Sequence, residues 1–301
     1  MNLGLIGNGF VGNALYQNLK KEYDFLIYDR DVSKANCNSL KELCTTCDLI
    51  FVALPTPMYE SGECDLSIIF GVMAEIAEHA NEVIVVLKST VVPGTCDKIN
   101  SLYPGINLVF SPEFLTEKNS VNDFKECNRV IFSGNESDTL KCERVFKKVF
   151  PNKDYLHTDW KSAEMVKYFL NTFLATKVSF ANEMHQICES LHINYNKMLE
   201  LALYDERINK THFLVPGPDG DYGFGGTCFP KDINALINLC NTEAVDCGIL
   251  SAVWNKNLDV RNNLDWLQKI GRAISTKEKK NAIIKPSTGS NYDGSPGINV
   301  K

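Results

Sequence analysis

Leu3-Gly4-Leu5-Ile6-Gly7-Asn8-Gly9-Phe10-Val11-Gly12 stands at the start of the chain. A short apolar run leads directly into G-x-G-x-x-G, and helix-periodic sequence follows over 11–21. That context gives the glycines meaning: they permit the turn, the approach of a pyrophosphate, and close helix–strand packing. A second apolar run, 25–28, ends at Tyr28-Asp29. A carboxylate at that distance takes the ribose hydroxyls of a dinucleotide and disfavours the additional phosphate of NADP. Arg30 follows as a counterweight, and NAD is the cofactor expected. A glycine-rich turn that binds nothing is the plain alternative, and the full set of strand, glycines, helix, strand and acid argues against it.

Outward from that turn, further strand candidates lie at 49–54, 83–87, 108–110 and 130–132, with helices between them, for example 68–79 and 138–149. Such alternation predicts an α/β fold of Rossmann type, a doubly wound parallel sheet. Beyond Thr158 the pattern changes. Residues 161–191 run without glycine or proline, with apolar side chains at helical spacing from Ala163 to Ile187. Helices are expected at 196–203, 231–241 and 250–274, with an irregular loop at 209–227. The chain thus divides into a dinucleotide-binding domain (1–158), an all-helical second domain (159–280) and a Ser/Gly/Pro/Asn-rich tail (281–301) expected to be disordered.

Composition bounds the function. A net charge of −6 argues against a nucleic-acid surface. The start has no signal peptide and no window has 18 uninterrupted apolar residues, so a membrane partner is not expected and a reducing cytoplasm is. Eleven scattered cysteines form no disulfide framework. Cys44 and Cys47 make a C-x-x-C, yet no second pair or histidine cluster follows at zinc spacing. They read as free thiols at the end of a helix before a strand, and no metal is expected.

One block carries the most chemistry: Gly223-Phe224-Gly225-Gly226-Thr227-Cys228-Phe229-Pro230-Lys231-Asp232. Proline is tolerated at the first helical position, and a cysteine just before a helix start and near a lysine is expected to have a lowered pKa. A buried structural thiol in a turn is the bland alternative. Leu54-Pro55-Thr56-Pro57, Lys88-Ser89-Thr90 and Ser111-Pro112-Glu113-Phe114-Leu115-Thr116-Glu117 follow the ends of strands, where doubly wound sheets bind ligands. Lys167 and Asn171, four residues apart, share a helix face. Each alone has a structural reading: a cap, a solvated acidic face, or a lysine snorkelling from an apolar helix.

Together these segments resemble the UDP-glucose/GDP-mannose dehydrogenase family, in order from Met1 to about Asp232. The resemblance implies oxidation of the C6 alcohol of a nucleotide sugar, UDP-glucose above others, to the carboxylate. Two NAD are used, through a thiohemiacetal and a thioester on cysteine. By it, Cys228 is the nucleophile and Lys167 holds the developing oxyanion. Asn171 positions substrate and lysine, Asp232 with a water serves proton transfer, and Glu117 and Thr90 position the hydrolytic water. Glu113, Phe114, Leu115, Phe213, Gly225, Gly226 and Arg207 would contact the sugar nucleotide, Arg207 across a subunit interface. NAD would be lined by Gly7, Asn8, Gly9, Phe10, Val11, Gly12, Asp29, Arg30, Pro55, Thr56, Pro57, Ser89 and Thr90, with Lys34 and Lys231 near its phosphates. A homodimer through the helical domain is also implied, with UDP-glucuronate for polysaccharide biosynthesis as the product.

Two departures stand out. Family members normally carry a third, nucleotide-binding α/β domain, and nothing after Ile274 can form a βαβ set. The loop at 213–222 is also longer than is usual for UDP-glucose enzymes. Two other readings remain open: a two-domain β-hydroxyacid dehydrogenase, which oxidises once and needs no cysteine, and a shortened NAD-binding relative without turnover.

Overall fold

The computed structural model describes residues 1–79 and 82–276, so the tail expected at 281–301 lies outside the described residues. The strands are β1 (Asn2–Ile6), β2 (Asp24–Tyr28), β3 (Leu49–Val52), β4 (Ile84–Leu87), β5 (Asn107–Phe110), β6 (Arg129–Gly134) and β7 (Asp154–Thr158). Among the described residues they form one sheet in the order β2-β1-β3-β4-β5-β6-β7. The pairs from β2 to β5 are parallel, as expected of a Rossmann sheet.

The doubly wound parallel sheet expected from the sequence is present, with one antiparallel pair within it: β6 runs antiparallel to β5, with Phe110 opposite Ser133, and β7 then runs parallel to β6. After β5 the chain stays at the carboxyl edge of the sheet through residues 111–128, which include α5 (Ser120–Glu126), and β6 returns from that edge. β7 gave little signal in the sequence because it is an edge strand whose side chains are mostly exposed.

The other helices of this half are α1 (Phe10–Leu19), α2 (Leu40–Thr46), α3 (Ser67–His79), α4 (Thr95–Leu102) and α6 (Glu136–Val149). Strands covered on both faces should be apolar throughout, and β3 and β4 are: every residue of both is buried. Alternate side chains supply two cores. Ile50, Val52, Val85 and Leu87 pack with Leu43 of α2 and Ile69, Met73 and Ile76 of α3. Phe51, Val86 and Val109 pack with Leu15 of α1 and Val145 and Phe146 of α6. Cys44 lies in α2 and Cys47 at its C-terminal cap, both buried free thiols directly before β3.

Beyond the sheet come α7 (Trp160–Ser190), α8 (Tyr195–Ala202), α9 (Cys228–Thr242) and α10 (Gly248–Val260). Asp159 caps α7 by accepting from the Ser162 amide at 2.9 Å. With 31 residues, α7 joins the two halves. Near its start the buried Glu164 accepts the Gly94 amide at 2.6 Å and the Cys96 amide at 2.8 Å, capping α4. Further along, Ala175 packs with Phe224, Ile233 and Val253.

Two helix expectations are corrected. The helix expected at 231–241 begins at Cys228, so Pro230 is its third residue rather than its first. The opening amides of a helix have no intrahelical acceptor, and proline costs nothing there. The helix expected at 250–274 ends at Val260, where Arg261 turns extended. Its buried guanidinium donates to Asp219 at 2.7 Å, to Asp265 at 3.2 Å and to the Tyr222 carbonyl at 3.2 Å, and its Nε to the Asn263 carbonyl at 2.9 Å. Four acceptors around one cation break the helix. Residues 262–276 then return to the sheet: the Met58 amide donates to the Ala273 carbonyl and the Ser275 amide to the Met58 carbonyl, both at 2.8 Å.

Candidate active site

The glycine turn is built as a cradle. Gly7 has φ +91°, donates to the Tyr28 carbonyl at 2.9 Å, and a Cβ there would lie 2.5 Å from the Ala53 oxygen. Gly9 caps α1 without any side-chain bond and faces open space. The first amides of α1 are therefore left for an anion, which a helix N-terminus favours. Asp29 accepts the Asn8 amide at 2.6 Å and the Asp31 amide at 2.8 Å, which fixes the carboxylate beside the turn. Each of its oxygens keeps a second lone pair. Asn8 Oδ1 is buried without a partner. An open glycine, free helix amides and an anchored acid fit a dinucleotide. Lys34, at the neighbouring turn, pairs with Asp31 at 3.4 Å on the surface, and Arg30 is exposed.

The loops after β3 and β4 line the next part. The Leu54 amide donates to Ser89 Oγ at 2.8 Å and Thr56 Oγ to the Thr90 carbonyl at 2.7 Å, so the Pro55-Thr56-Pro57 and Ser89-Thr90 segments are tied together. Lys88, fully inside, donates to Ser111 Oγ at 2.9 Å and the Pro112 carbonyl at 3.2 Å, and burial pushes its pKa down to about 8. It thereby braces the segment that carries Glu113.

Glu113 is buried; one carboxylate oxygen lies 3.0 Å from Lys167 Nζ and the other accepts the Leu115 amide at 2.6 Å. Lys167 is also 5.9 Å from the centre of the Phe114 ring. Burial works to lower the Lys167 pKa, but Glu113, Cys228 and Asp232 more than offset it and hold the ammonium above its ordinary value. One turn on, Asn171 donates to Asp232 at 2.6 Å, and the other oxygen of Asp232 binds Lys231. Lys231, read from the sequence as a cofactor contact, is thus buried in this cluster.

Cys228 is the first residue of α9 and half-buried. The expectation of a lowered pKa is corrected: burial, followed by Asp232, pushes the thiol up, and Lys231 and Lys167 do not compensate. The geometry nonetheless gathers Cys228, Lys167, Asn171, Glu113, Lys231 and Asp232 into one electrostatic neighbourhood. Glu117 stands at its edge, accepting from Thr227 Oγ at 3.4 Å on one oxygen and from Arg272 at 2.7 Å on the other.

The Gly223–Gly226 loop is held from behind. Asn182 accepts the Gly223 amide at 3.1 Å, Asn257 accepts the Phe224 amide at 2.6 Å and returns a bond to its carbonyl, and Asp265 accepts the Gly226 amide at 3.1 Å. A Cβ on Gly225 would lie 2.2 Å from the Arg261 guanidinium and from the Asp265 carboxylate, so a side chain there would have to displace that ion pair. Arg207 is exposed and paired with Asp205. Phe213 lies under Lys177, 4.5 Å from ring centre to ammonium, and packs with Ala181 and Tyr195. Sequence reading quoted Lys88 within a strand-end segment without giving it a role of its own, and it missed Glu164, Asn182, Asn257, Arg261, Asp265 and Arg272. Polar residues on apolar helix faces were the available signal for Glu164, Asn182 and Asn257; the others carried none.

Comparison with known proteins agrees with this geometry. Models of two domains of the UDP-glucose/GDP-mannose dehydrogenase family match the chain, the NAD binding domain over residues 21–152 and the central domain over residues 161–259. A UDP-glucose 6-dehydrogenase of Rickettsia felis is 36% identical over 227 residues, covering 72% of this chain and 49% of that protein. A UDP-glucose 6-dehydrogenase of Bacillus subtilis is 35% identical over 224 residues, covering 72% and 49%. The chain therefore spans about half the length of these relatives. Among solved structures, a UDP-glucose dehydrogenase from Pyrobaculum islandicum superposes with a TM-score of 0.78 at 26% identity, over 86% of this chain and 68% of that one.

Proposed function

The chain belongs to the UDP-glucose/GDP-mannose dehydrogenase family, and we propose that it oxidises the C6 alcohol of a nucleotide sugar, UDP-glucose, to the carboxylate. One observation carries the reading. A thiol at a helix start shares a buried cluster with an ammonium held by Glu113 and a carboxylate held by Asn171. A single oxidation needs no such thiol. Going on to the acid needs an adduct that can give up a second hydride, and a cysteine adduct can.

NAD, bound at the glycine turn, supplies the hydride acceptor in each of two oxidations. The C6 hydroxyl proton leaves through water to Asp232, which Asn171 and Lys231 hold in place. Lys167 donates to the oxygen as charge develops on it, an arrangement that costs no reorganisation because Glu113 already fixes the ammonium. Cys228 adds to the resulting aldehyde, its thiol proton passing through the same water to the aldehyde oxygen, to give a thiohemiacetal. A second hydride loss leaves a thioester. Glu117 and Thr90 orient a water that cleaves it, releasing the carboxylate and restoring the thiol. The balance is one alcohol, one water and two NAD giving one carboxylate, two NADH and protons.

The second copy proposed from the sequence has a surface to bind. Phe169, Phe173 and Phe180 on α7 are each more than half exposed, and the first two stack at 6.2 Å. Such a stripe suits an isologous dimer. Eleven free cysteines suit a reducing cytoplasm.

The test is stoichiometry: UDP-glucose incubated with excess NAD should give two NADH per sugar consumed, with UDP-glucuronate as product. One NADH per sugar, or an aldehyde product, would overturn the reading.

A further inference from the structure

The segment that leaves α10 brings a cation to the dinucleotide site from the opposite half of the molecule. Its backbone is pinned to the loop after β3 directly beyond Arg272, where the Met58 amide donates to the Ala273 carbonyl and the Ser275 amide to the Met58 carbonyl. Ala273 is wholly buried, and Trp266 packs with Met58 beneath it. Arg272 is therefore not a side chain on a free loop. Its guanidinium sits 6.0 Å from the centre of the Phe10 ring and donates to Glu117 at 2.7 Å. Phe10 is the first residue of α1, the end of the helix whose amides are free behind the open Gly9.

We propose that Arg272 is a phosphate-binding residue of the dinucleotide site, held by Glu117 until the diphosphate arrives. The proposal rests on NAD binding at the glycine turn. The exchange is favourable on known magnitudes. Arg272 and Glu117 are both nearly half exposed, and ion pairs that open to water add little to stability. A guanidinium on a phosphate makes two parallel charge-assisted bonds, beside a helix terminus that already favours negative charge. Transfer of Arg272 to the diphosphate also frees one oxygen of Glu117, while the other stays with Thr227 next to Cys228. Cofactor binding would thereby release the group that positions the hydrolytic water. A residue of the helical half, outside the glycine motif, then contributes to cofactor affinity.

The experiment is calorimetric titration of the full chain with NAD, with ADP-ribose, which keeps the diphosphate, and with adenosine, which lacks it. One charged hydrogen bond lost predicts that Arg272→Ala weakens NAD and ADP-ribose by about 10- to 100-fold and leaves adenosine unchanged. Glu117→Gln removes the competing acid and should tighten NAD by up to about 5-fold. A purely structural Arg272 predicts no such gain. Arg272→Lys, which keeps the charge without the fork, should fall between wild type and Arg272→Ala, and carries the test alone if the alanine variant does not fold. Equal NAD affinity in wild type and the Arg272 variants would overturn the proposal, as would an equal loss for adenosine. Wild-type protein with no affinity for NAD would overturn the underlying reading as well.

Discussion

Replacing Lys88 by methionine tests the buried scaffold behind the site through its pH dependence. In the folded chain the Lys88 ammonium has a pKa of about 8 against an ordinary 10.5, burial being the main cause. The folded state releases this proton near pH 8 and the unfolded state keeps it to about 10.5. Between those values the unfolded state binds more protons, so this group makes stability rise with pH. At about pH 7 keeping the charge buried costs nearly the whole gap, about 3 kcal/mol at about 1.4 kcal/mol per unit. By about pH 9.5 only about one unit separates the solution from the unfolded value, and about 1.4 kcal/mol remains. Wild type should therefore gain about 2 kcal/mol on Lys88→Met over that range. Groups that do not interact with Lys88 titrate alike in both proteins and cancel. Urea unfolding at the two pH values, with m-values checked for constancy, measures the difference. The offset between the proteins at neutral pH also contains the lost bonds to Ser111 and Pro112, so only the change in offset is diagnostic. A constant offset, or one that moves the other way, would refute the buried-ammonium account.

The other predictions concern function directly. Cys228→Ala should abolish carboxylate formation while NAD still binds, since no cofactor contact is assigned to the thiol; wild-type rates of acid formation would refute its role. Lys167→Ala should slow chemistry by about 10²–10³, with a loss of stability of about 3–5 kcal/mol because Glu113 stays buried without its cation. Full turnover in a destabilised protein would leave Lys167 a purely structural residue. NAD should bind more tightly than NADP, because Asp29 is fixed beside the turn; a titration with the reverse order would count against that assignment. Light scattering should give about twice the 33.7 kDa chain mass and return to one chain mass in Phe173→Glu. A wild-type mass of a single chain at micromolar concentration would remove the dimer.

The sequence alone determined the parts whose physics is local. A strand, three glycines and a helix within the first 19 residues leave few alternatives for the backbone, and the apolar runs of β3 and β4 can only be strands buried on both faces. The long α7 follows from unbroken helical spacing, and the cysteine block from its glycine-rich approach to a helix start. Tertiary structure decided what depends on partners distant in the chain. The thiol pKa is one case: a cysteine beside a lysine at a helix start reads as acidic, but burial and Asp232 reverse the direction. The end of α10 is another. Residues 261–274 have helical spacing, yet Arg261 leaves the helix for carboxylates at Asp219 and Asp265 and carbonyls at Tyr222 and Asn263. From that break the chain turns back to the sheet, and Arg272 reaches Glu117, 155 residues earlier in the sequence. Hydrophobic period reports which face of an element is covered; it carries no information about which distant charge a buried cation will choose.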